Sequence, residues 1–415
     1  MKKVVIVSGC ESYRTGDFLA AASLLRLDAV VATDARAPID GTSGHLEIDL
    51  SDPALAAARI ADAVPDAAAV VAVDDEGVSA AALAAEALQL PHNPPEAVTA
   101  TRDKLAMRRL LASGGIAQPR FVEAGPDDVP QVAAGIGFPV VIKPVGLSAS
   151  RGVVRVDTAT DAEQAELRIR TILAAAQRDP GEPLLVEEYV PGVEVAIEGL
   201  LVDGDVQILA VIDKPDPLDG PFFAETMFVT PSRHPAEIQD EAVALIADAV
   251  RALGLRVGPI HAEVRIPPDG PAQLIEIAAR SIGGLCGRSL SFGLLAEPLE
   301  VVVLKNALGI SRSNTPLGRL ATGVLMLPIP ASGTFTGIEN TEAAKAITGI
   351  DDVTITVAKG RPLQALPEGN RYLGFVFASG ATPDAVEGAL RRAAATLIVT
   401  MDGEEIAADP LAAGW

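Results

Sequence analysis

The stretch GPIHAEVRIPPDGPAQLIEIAARSIGG (258–284) constrains this chain more than any other. Two runs of alternating apolar residues flank Asp269-Gly270, a dipeptide that favours the two-residue turn of an antiparallel hairpin. Centred on that turn, Pro268 faces Pro271 and, counting outward, Glu263 faces Glu276. Side chains alternate along a strand, so Glu263 and Arg265 share a face with Glu276, Ala278 and Arg280. Val264, Ile266, Ile275 and Ile277 then point the other way, into a core. Two carboxylates directly opposite each other lie roughly 5 Å apart and repel. A divalent cation removes that penalty, and Mg²⁺ prefers such hard oxygen donors. A solvated sheet face, where each glutamate finds its own water or arginine, fits the same pattern. Beyond the hairpin, Arg280 runs into Ser281-Ile282-Gly283-Gly284. A guanidinium beside open backbone N–H groups suits an anion such as a carboxylate or acyl phosphate. A tight turn with no ligand is the plainer reading of the two glycines.

Two further stretches carry candidate chemistry. In VVIKPVGLSASRGVV (140–154) a lysine ends a β-branched strand, a small Gly/Ser loop follows, and a second strand begins. The N–H groups of such a loop and the Ser148 and Ser150 hydroxyls can close over phosphates, with Lys143 as a point charge on them. An ordinary hairpin loop has the same composition. The Walker A pattern GxxxxGK[ST] occurs nowhere in the chain. In LLVEEYVPGVEVAIEGL (184–200) a strand ends at Glu187-Glu188-Tyr189-Val190, turns at Pro191-Gly192 and restarts at Glu194. A strand exit with open backbone groups can pair with an adenine edge, and a carboxylate can hold ribose hydroxyls; a plain strand edge with solvated acids is equally consistent.

The rest of the 415 residues sets the frame. Strand-like KVVIV (3–7), AVVAT (29–33) and AAAVVAV (67–73) alternate with helical 17–26, 53–63 and 76–88, which predicts a parallel α/β domain over 1–92. HNPPEA (92–97) opens a helix expected to run to Gly114-Gly115. Strand-like segments joined by short Gly, Asp and Pro turns then predict an antiparallel α+β domain over 93–314, with a lobe at about 115–190. FFAETMFVT (222–230) is among those strands, and 160–177 and 235–253 are helical. Further β pieces and a capped helix at 381–397 predict a C-terminal α/β subdomain over 315–415. Hydrophobic residues at 49% and charged ones at 21% mark a globular chain. A net charge of −22 argues against nucleic acid and anionic membranes as partners. No apolar run reaches the about 20 residues that cross a bilayer, and MKKVVIVSG reads as a strand, not a leader. Cys10 and Cys286 stand far apart without a CxxC, which points to a reducing, cytoplasmic compartment and no structural zinc.

Taken together and in this order, the clusters resemble the ATP-grasp superfamily. Lys104 in TRDKLAMRRLL is similar to that family's first phosphate lysine, Lys143 to the second, and 146–152 to its phosphate-covering loop. The resemblance places Glu187, Tyr189 and Val190 at the adenine hinge, Glu194 at the ribose, Glu263 and Glu276 on Mg²⁺ (Mn²⁺ as a substitute), and Arg280 as the catalytic arginine. The closer resemblance is to the L-amino acid ligase-like carboxylate–amine ligases, whose further acidic residue near metal and amine matches Glu225 in FFAETMFVTPS. One departure stands out: Ala278 occupies the position where many members carry a metal-binding Asn. The resemblance implies an ATP-grasp fold and an acyl-phosphate route to an amide. Small carboxylate and amine substrates, amino acids first among them, and a homodimer follow from it as well. Arg280 with the Gly283 and Gly284 N–H groups would steady the oxyanion, and Glu225 or His261 would take the amine proton. Residues 8–16, 222–230 and 281–292 would form the substrate pocket, with Phe222, Phe223, Met227, Phe228, Leu285 and Phe292 as candidate apolar walls. Biotin carboxylase-like or purine-pathway carboxylation, and a non-catalytic nucleotide-binding regulator, are the alternative functions.

Overall fold

The computed structural model describes residues 1–35, 42–291, 295–310 and 320–408. Phe292 and the expected boundary at 314/315 lie outside them. The fold is the expected mixed α/β and α+β architecture, built on four sheets among the described residues. At the N-terminus a parallel sheet has the order Gly44–Glu47, Asp28–Thr33, Lys3–Ser8, Ala67–Ala72. Its first strand is buried on both faces, as the continuous run of β-branched residues requires. The edge strand Gly44–Glu47 carries no apolar alternation and was not anticipated from the sequence.

A smaller antiparallel sheet has the order Phe121–Ala124, Leu184–Glu188, Val140–Pro144, Val154–Val156. Helices Val129–Ile136 and Ala159–Ala175 cover one face of it. The largest sheet is antiparallel, with the order Gln273–Ala278, Gly258–Ile266, Val193–Val202, Asp205–Asp213, Met227–Thr230, Ala321–Leu327, Gly374–Gly380, Ile350–Ile355. It therefore continues from the central segments into the C-terminal ones without a break in pairing. A single apolar core joins it to the N-terminal sheet, running from Ile6 and Phe18 through Leu299 and Val303 to Phe375 and Phe377. No helix among the described residues is long and apolar enough to cross a membrane.

Three local departures from the expected pattern shape the site. The single helix expected after Pro95 is two, Pro95–Arg102 and Lys104–Ser113. Asp103 leaves helical geometry at φ −117°, ψ 103°, and its side chain accepts from the Ala106 N–H at 2.9 Å, so capping prevails over continuation. FFAETMFVT is a strand only over Met227–Thr230, because Phe222 leaves this sheet to bridge Val154 of the smaller one. In the hairpin, Glu263 pairs with Glu276 as the turn predicts, but the register then shifts so that Val264 pairs with Leu274 and Arg265 with Gln273. Ile275 is the extra residue of this bulge, and it lines the central cavity where a core position was expected. Leu274, fully buried, takes its place in the core.

Candidate active site

A cavity of about 310 Å³ opens where the three larger units meet. Its wall gathers Lys104, Lys143, Ser148, Ser150, Glu187, Tyr189, Val190, Glu194, Glu225, Glu263, Glu276, Arg280, Gly283 and Gly284, residues spread over 180 positions of sequence. The break at Asp103 puts Lys104 in the first turn of its helix, with its N–H on the Val145 carbonyl at 3.2 Å. Its ammonium donates to the Leu147 carbonyl at 2.6 Å and lies 3.8 Å from Glu276 Oε1. Lys143 is buried on strand Val140–Pro144 and reaches Glu187 Oε2 at 2.6 Å. Arg108, itself fully buried, holds the other oxygen of Glu187 and donates to the Leu274 and Ile275 carbonyls at 3.0 and 2.7 Å. Burial alone would raise the Glu187 pKa, but the charges of Arg108 and Lys143 prevail and hold it at about 2. Glu187 thus acts here as a tether for Lys143, a role that adenine pairing did not suggest.

The residues expected at the hinge are engaged by polar contacts within the chain. The Val190 carbonyl accepts from Arg265 Nη1 at 2.7 Å, and the Tyr189 hydroxyl donates to Asp219 Oδ1 at 2.8 Å beneath the Arg155 guanidinium. Glu194 is buried, with Oε2 taking Arg265 Nε at 2.8 Å and Oε1 taking Lys214 Nζ at 2.6 Å. Lys214 was not anticipated as a site residue. Its ammonium also contacts Glu225 and lies 3.1 Å from Glu263 Oε1, so one cation sits among three carboxylates. Oxygens of those three acids fall within 4.8 Å of one another, a spacing that would accept a metal if Lys214 did not fill it. Burial, together with the neighbouring Glu263 charge, outweighs Lys214 at Glu225 and pushes its carboxyl up to about 7.

Arg280 is aimed by a residue that the sequence did not mark. Asp75, on the turn following strand Ala67–Ala72, accepts from Arg280 Nη2 at 3.1 Å, and lies 3.1 Å from Arg280 Nε and 3.5 Å from Arg102 Nη1. Burial would raise the Asp75 carboxyl; the two guanidinium groups instead hold it at about 2. Behind Gly283, the fully buried Glu198 accepts the Ile282 N–H at 3.1 Å and contacts His261 Nδ1 at 3.1 Å. His261 Nε2 stands 3.9 Å from Glu263 Oε1, and burial pushes its pKa down, so the ring is held neutral. Gly284 has φ +58°, and a Cβ there would meet the Phe375 ring at 2.8 Å, so both backbone and space require glycine. Of the candidate apolar walls, Phe223 and Phe228 line the cavity, Met227 and Leu285 belong to the core, and Phe222 packs under Arg168 on the smaller sheet. Tyr13, within the expected 8–16 segment, and Tyr372, which carried no sequence signal, both stand edge-on to Phe375 and complete the wall.

An oxygen-only pair such as Glu263 and Glu276, directly opposed on neighbouring strands, fits a hard divalent cation. With Lys104, Lys143 and the Arg280 guanidinium on its wall, the cavity can hold a polyphosphate and a carboxylate together.

A family model described as an ATP-grasp domain matches residues 136–289, and one described as L-amino acid ligase C-terminal domain 2 matches residues 325–402. An uncharacterised protein of Sinorhizobium fredii is 28% identical over 73% of this chain and 62% of its own length. A D-alanine–D-alanine ligase of Cupriavidus taiwanensis is 30% identical over 54% of this chain and 64% of its own. This chain therefore spans just under two thirds of these relatives. The crystal structure of an L-amino acid ligase from Bacillus licheniformis superposes with a TM-score of 0.81 at 24% identity, covering 97% of this chain and 99% of that one. N5-carboxyaminoimidazole ribonucleotide synthetase from Thermotoga maritima superposes with a TM-score of 0.73 at 17% identity, covering 97% and 100%.

Proposed function

We propose that this chain, a member of the ATP-grasp superfamily carrying an L-amino acid ligase C-terminal domain, joins a small carboxylate to an amine at the expense of ATP. Amino acids are the substrates this reading favours, with a dipeptide as product, and a cytoplasmic homodimer as the working form. The observation that carries it is the meeting of Lys104, Lys143, the opposed Glu263 and Glu276, and Arg280 on one cavity.

Lys104, Lys143 and the 146–152 loop hold the triphosphate. Mg²⁺, held by Glu263 and Glu276, would supply charge neutralisation on the phosphate oxygens. A substrate carboxylate oxygen bonds to the γ-phosphorus as the bond to ADP breaks. The amine nitrogen then bonds to the acyl carbon, and inorganic phosphate departs with the electron pair of the C–O bond. Arg280, fixed by Asp75, and the Gly283 and Gly284 N–H groups face the oxyanion of that step. Glu225, with its carboxyl near neutrality, is matched to receive the amine proton.

The test is release of ADP and phosphate from MgATP, screened over amino acids singly and in pairs, with products identified by mass. Release that requires two amino acids and yields their condensed mass supports the proposal. Release that requires bicarbonate would replace it with carboxylation, and nucleotide binding without turnover on any carboxylate–amine pair would replace it with a regulatory role.

A further inference from the structure

The loop 146–152 is fastened from outside, by the C-terminal segment at Pro367 and Glu368. The Gly152 N–H donates to the Pro367 carbonyl at 2.9 Å, and Arg151 Nε donates to the Glu368 carbonyl at 2.9 Å. Arg168, on the helix packed behind the loop's sheet, grips the Glu368 carboxylate with both ends of its fork, at 2.6 and 3.0 Å. The loop needs such support. Ala149 and Ser150 have φ of +57° and +54°, a left-handed conformation that costs non-glycine residues of order 1 kcal/mol each and persists only where the surroundings impose it. Two residues beyond Glu368 the same segment delivers Asn370, Arg371 and Tyr372 to the cavity wall. A second fastening lies opposite: Arg155 N–H donates to the Pro221 carbonyl at 2.9 Å, and Phe222 bridges Val154, just before Phe223 and Glu225 enter the wall.

Resting on the reading of 146–152 as the phosphate-covering loop, we propose that Glu368 is a positioning residue. Its carboxylate, gripped by Arg168, fixes the segment whose Pro367 and Glu368 carbonyls hold the loop at Gly152 and Arg151, and so ties closure over ATP to the 370–372 segment of the substrate wall. A paired, bidentate Arg–carboxylate contact between two lobes is the kind of surface bridge that contributes measurably, because both side chains are already oriented.

The test is a charge-reversal cycle on the full chain: Arg168→Glu, Glu368→Arg, the double variant, and Glu368→Gln, which removes the charge while keeping the shape. The probe is the non-hydrolysable β,γ-imido analogue of ATP with Mg²⁺, titrated by calorimetry, alongside backbone hydrogen exchange of 146–152 with the analogue bound. Each single variant is expected to weaken binding roughly fivefold and to speed exchange in the loop, while the double variant restores both. A merely structural bridge would move melting but not the loop's exchange in the bound state. Single variants that bind and exchange as wild type does overturn the clamp, as does a double variant no better than its parents. Lys143→Ala separates the two readings: if it weakens the analogue while the Glu368 variants do not, the clamp alone fails. If Lys143→Ala also binds normally, the phosphate reading falls and the clamp with it.

Discussion

Two charge clusters a few residues apart on the cavity wall are built from the same side chains in opposite proportion. At Glu187 two cations, Arg108 and Lys143, share one carboxylate, and its pKa falls to about 2. At Lys214 one ammonium is shared by Glu194, Glu225 and Glu263, with Arg265 reaching Glu194 alone, and Glu225 rises to about 7. Burial opposes ionisation in both, so the sign at each carboxyl is decided by the cations within its reach: Glu194, held by both Lys214 and Arg265, is lowered as Glu187 is, whereas Glu225, which shares Lys214 with Glu263, is raised. The first cluster leaves positive charge over for phosphates. The second leaves negative charge over for a cationic metal or amine, and keeps one carboxyl near neutrality where it can exchange a proton. A chain with a net charge of −22 can thus host a polyanion, provided the surplus is arranged locally.

That polarity can be broken from either end. The largest effect is expected at the acid-rich end. Glu276→Gln should lower ADP release by roughly a thousandfold, about 4 kcal/mol in the barrier, while melting stays within a few degrees of wild type. Turnover by Glu276→Gln at the wild-type rate would remove the opposed carboxylates from the reaction. Next comes Lys214→Met. Removing the cation that the three acids share leaves Glu225 and Glu263 without their ammonium, with Arg265 still holding Glu194, a loss of about 3–5 kcal/mol of stability. Urea unfolding at pH 7 measures it, and added Mg²⁺ should recover part of the loss if the vacated space accepts a cation. A variant as stable as wild type, with or without the ion, would mean the three acids are already protonated or solvated.

How far these clusters were legible follows from how far apart their members lie in sequence. Contacts inside one hairpin were readable: the Asp269-Gly270 turn fixes Glu263 against Glu276, and period-two alternation puts both on the cavity face. The N-terminal strands were legible for the same local reason. The bulge at Ile275 was not, because it depends on Arg108, from a helix some 160 positions earlier, which takes the Leu274 and Ile275 carbonyls. Lys214 reads as the end of an ordinary strand until folding surrounds it with Glu194, Glu225 and Glu263, and Asp75 reads as a turn residue until Arg280 meets it. Such pairings across domains have no period and no spacing to betray them. Asp103 is the instructive exception. The helix break was locally encoded by a good N-cap residue, but a polar residue in the middle of an apolar helical pattern is as easily a solvated face.

The cation-rich end offers the smallest of the three effects, and it is read through pH. Glu187 titrates at about 2 in the folded chain against an ordinary 4.5, so the folded state holds fewer protons on this group than the unfolded chain does between those values. Its contribution is complete above about pH 5 and is lost as pH falls through that window, never as pH rises. The shift corresponds to about 3 kcal/mol for a carboxylate this deeply buried. Glu187→Gln cannot ionise and leaves Arg108 and Lys143 without their counter-charge. Wild type should therefore exceed the variant by about that amount in urea unfolding at pH 7 and at pH 5.5, and the gap should narrow at pH 4 and again at pH 3.5. Other acids titrate over the same range, but they do so in both proteins and cancel in the difference. A gap that stays constant down to pH 3.5 would mean the Glu187 carboxylate is not held by its two cations. Lys143 would then owe its place on the cavity wall to strand Val140–Pro144 alone.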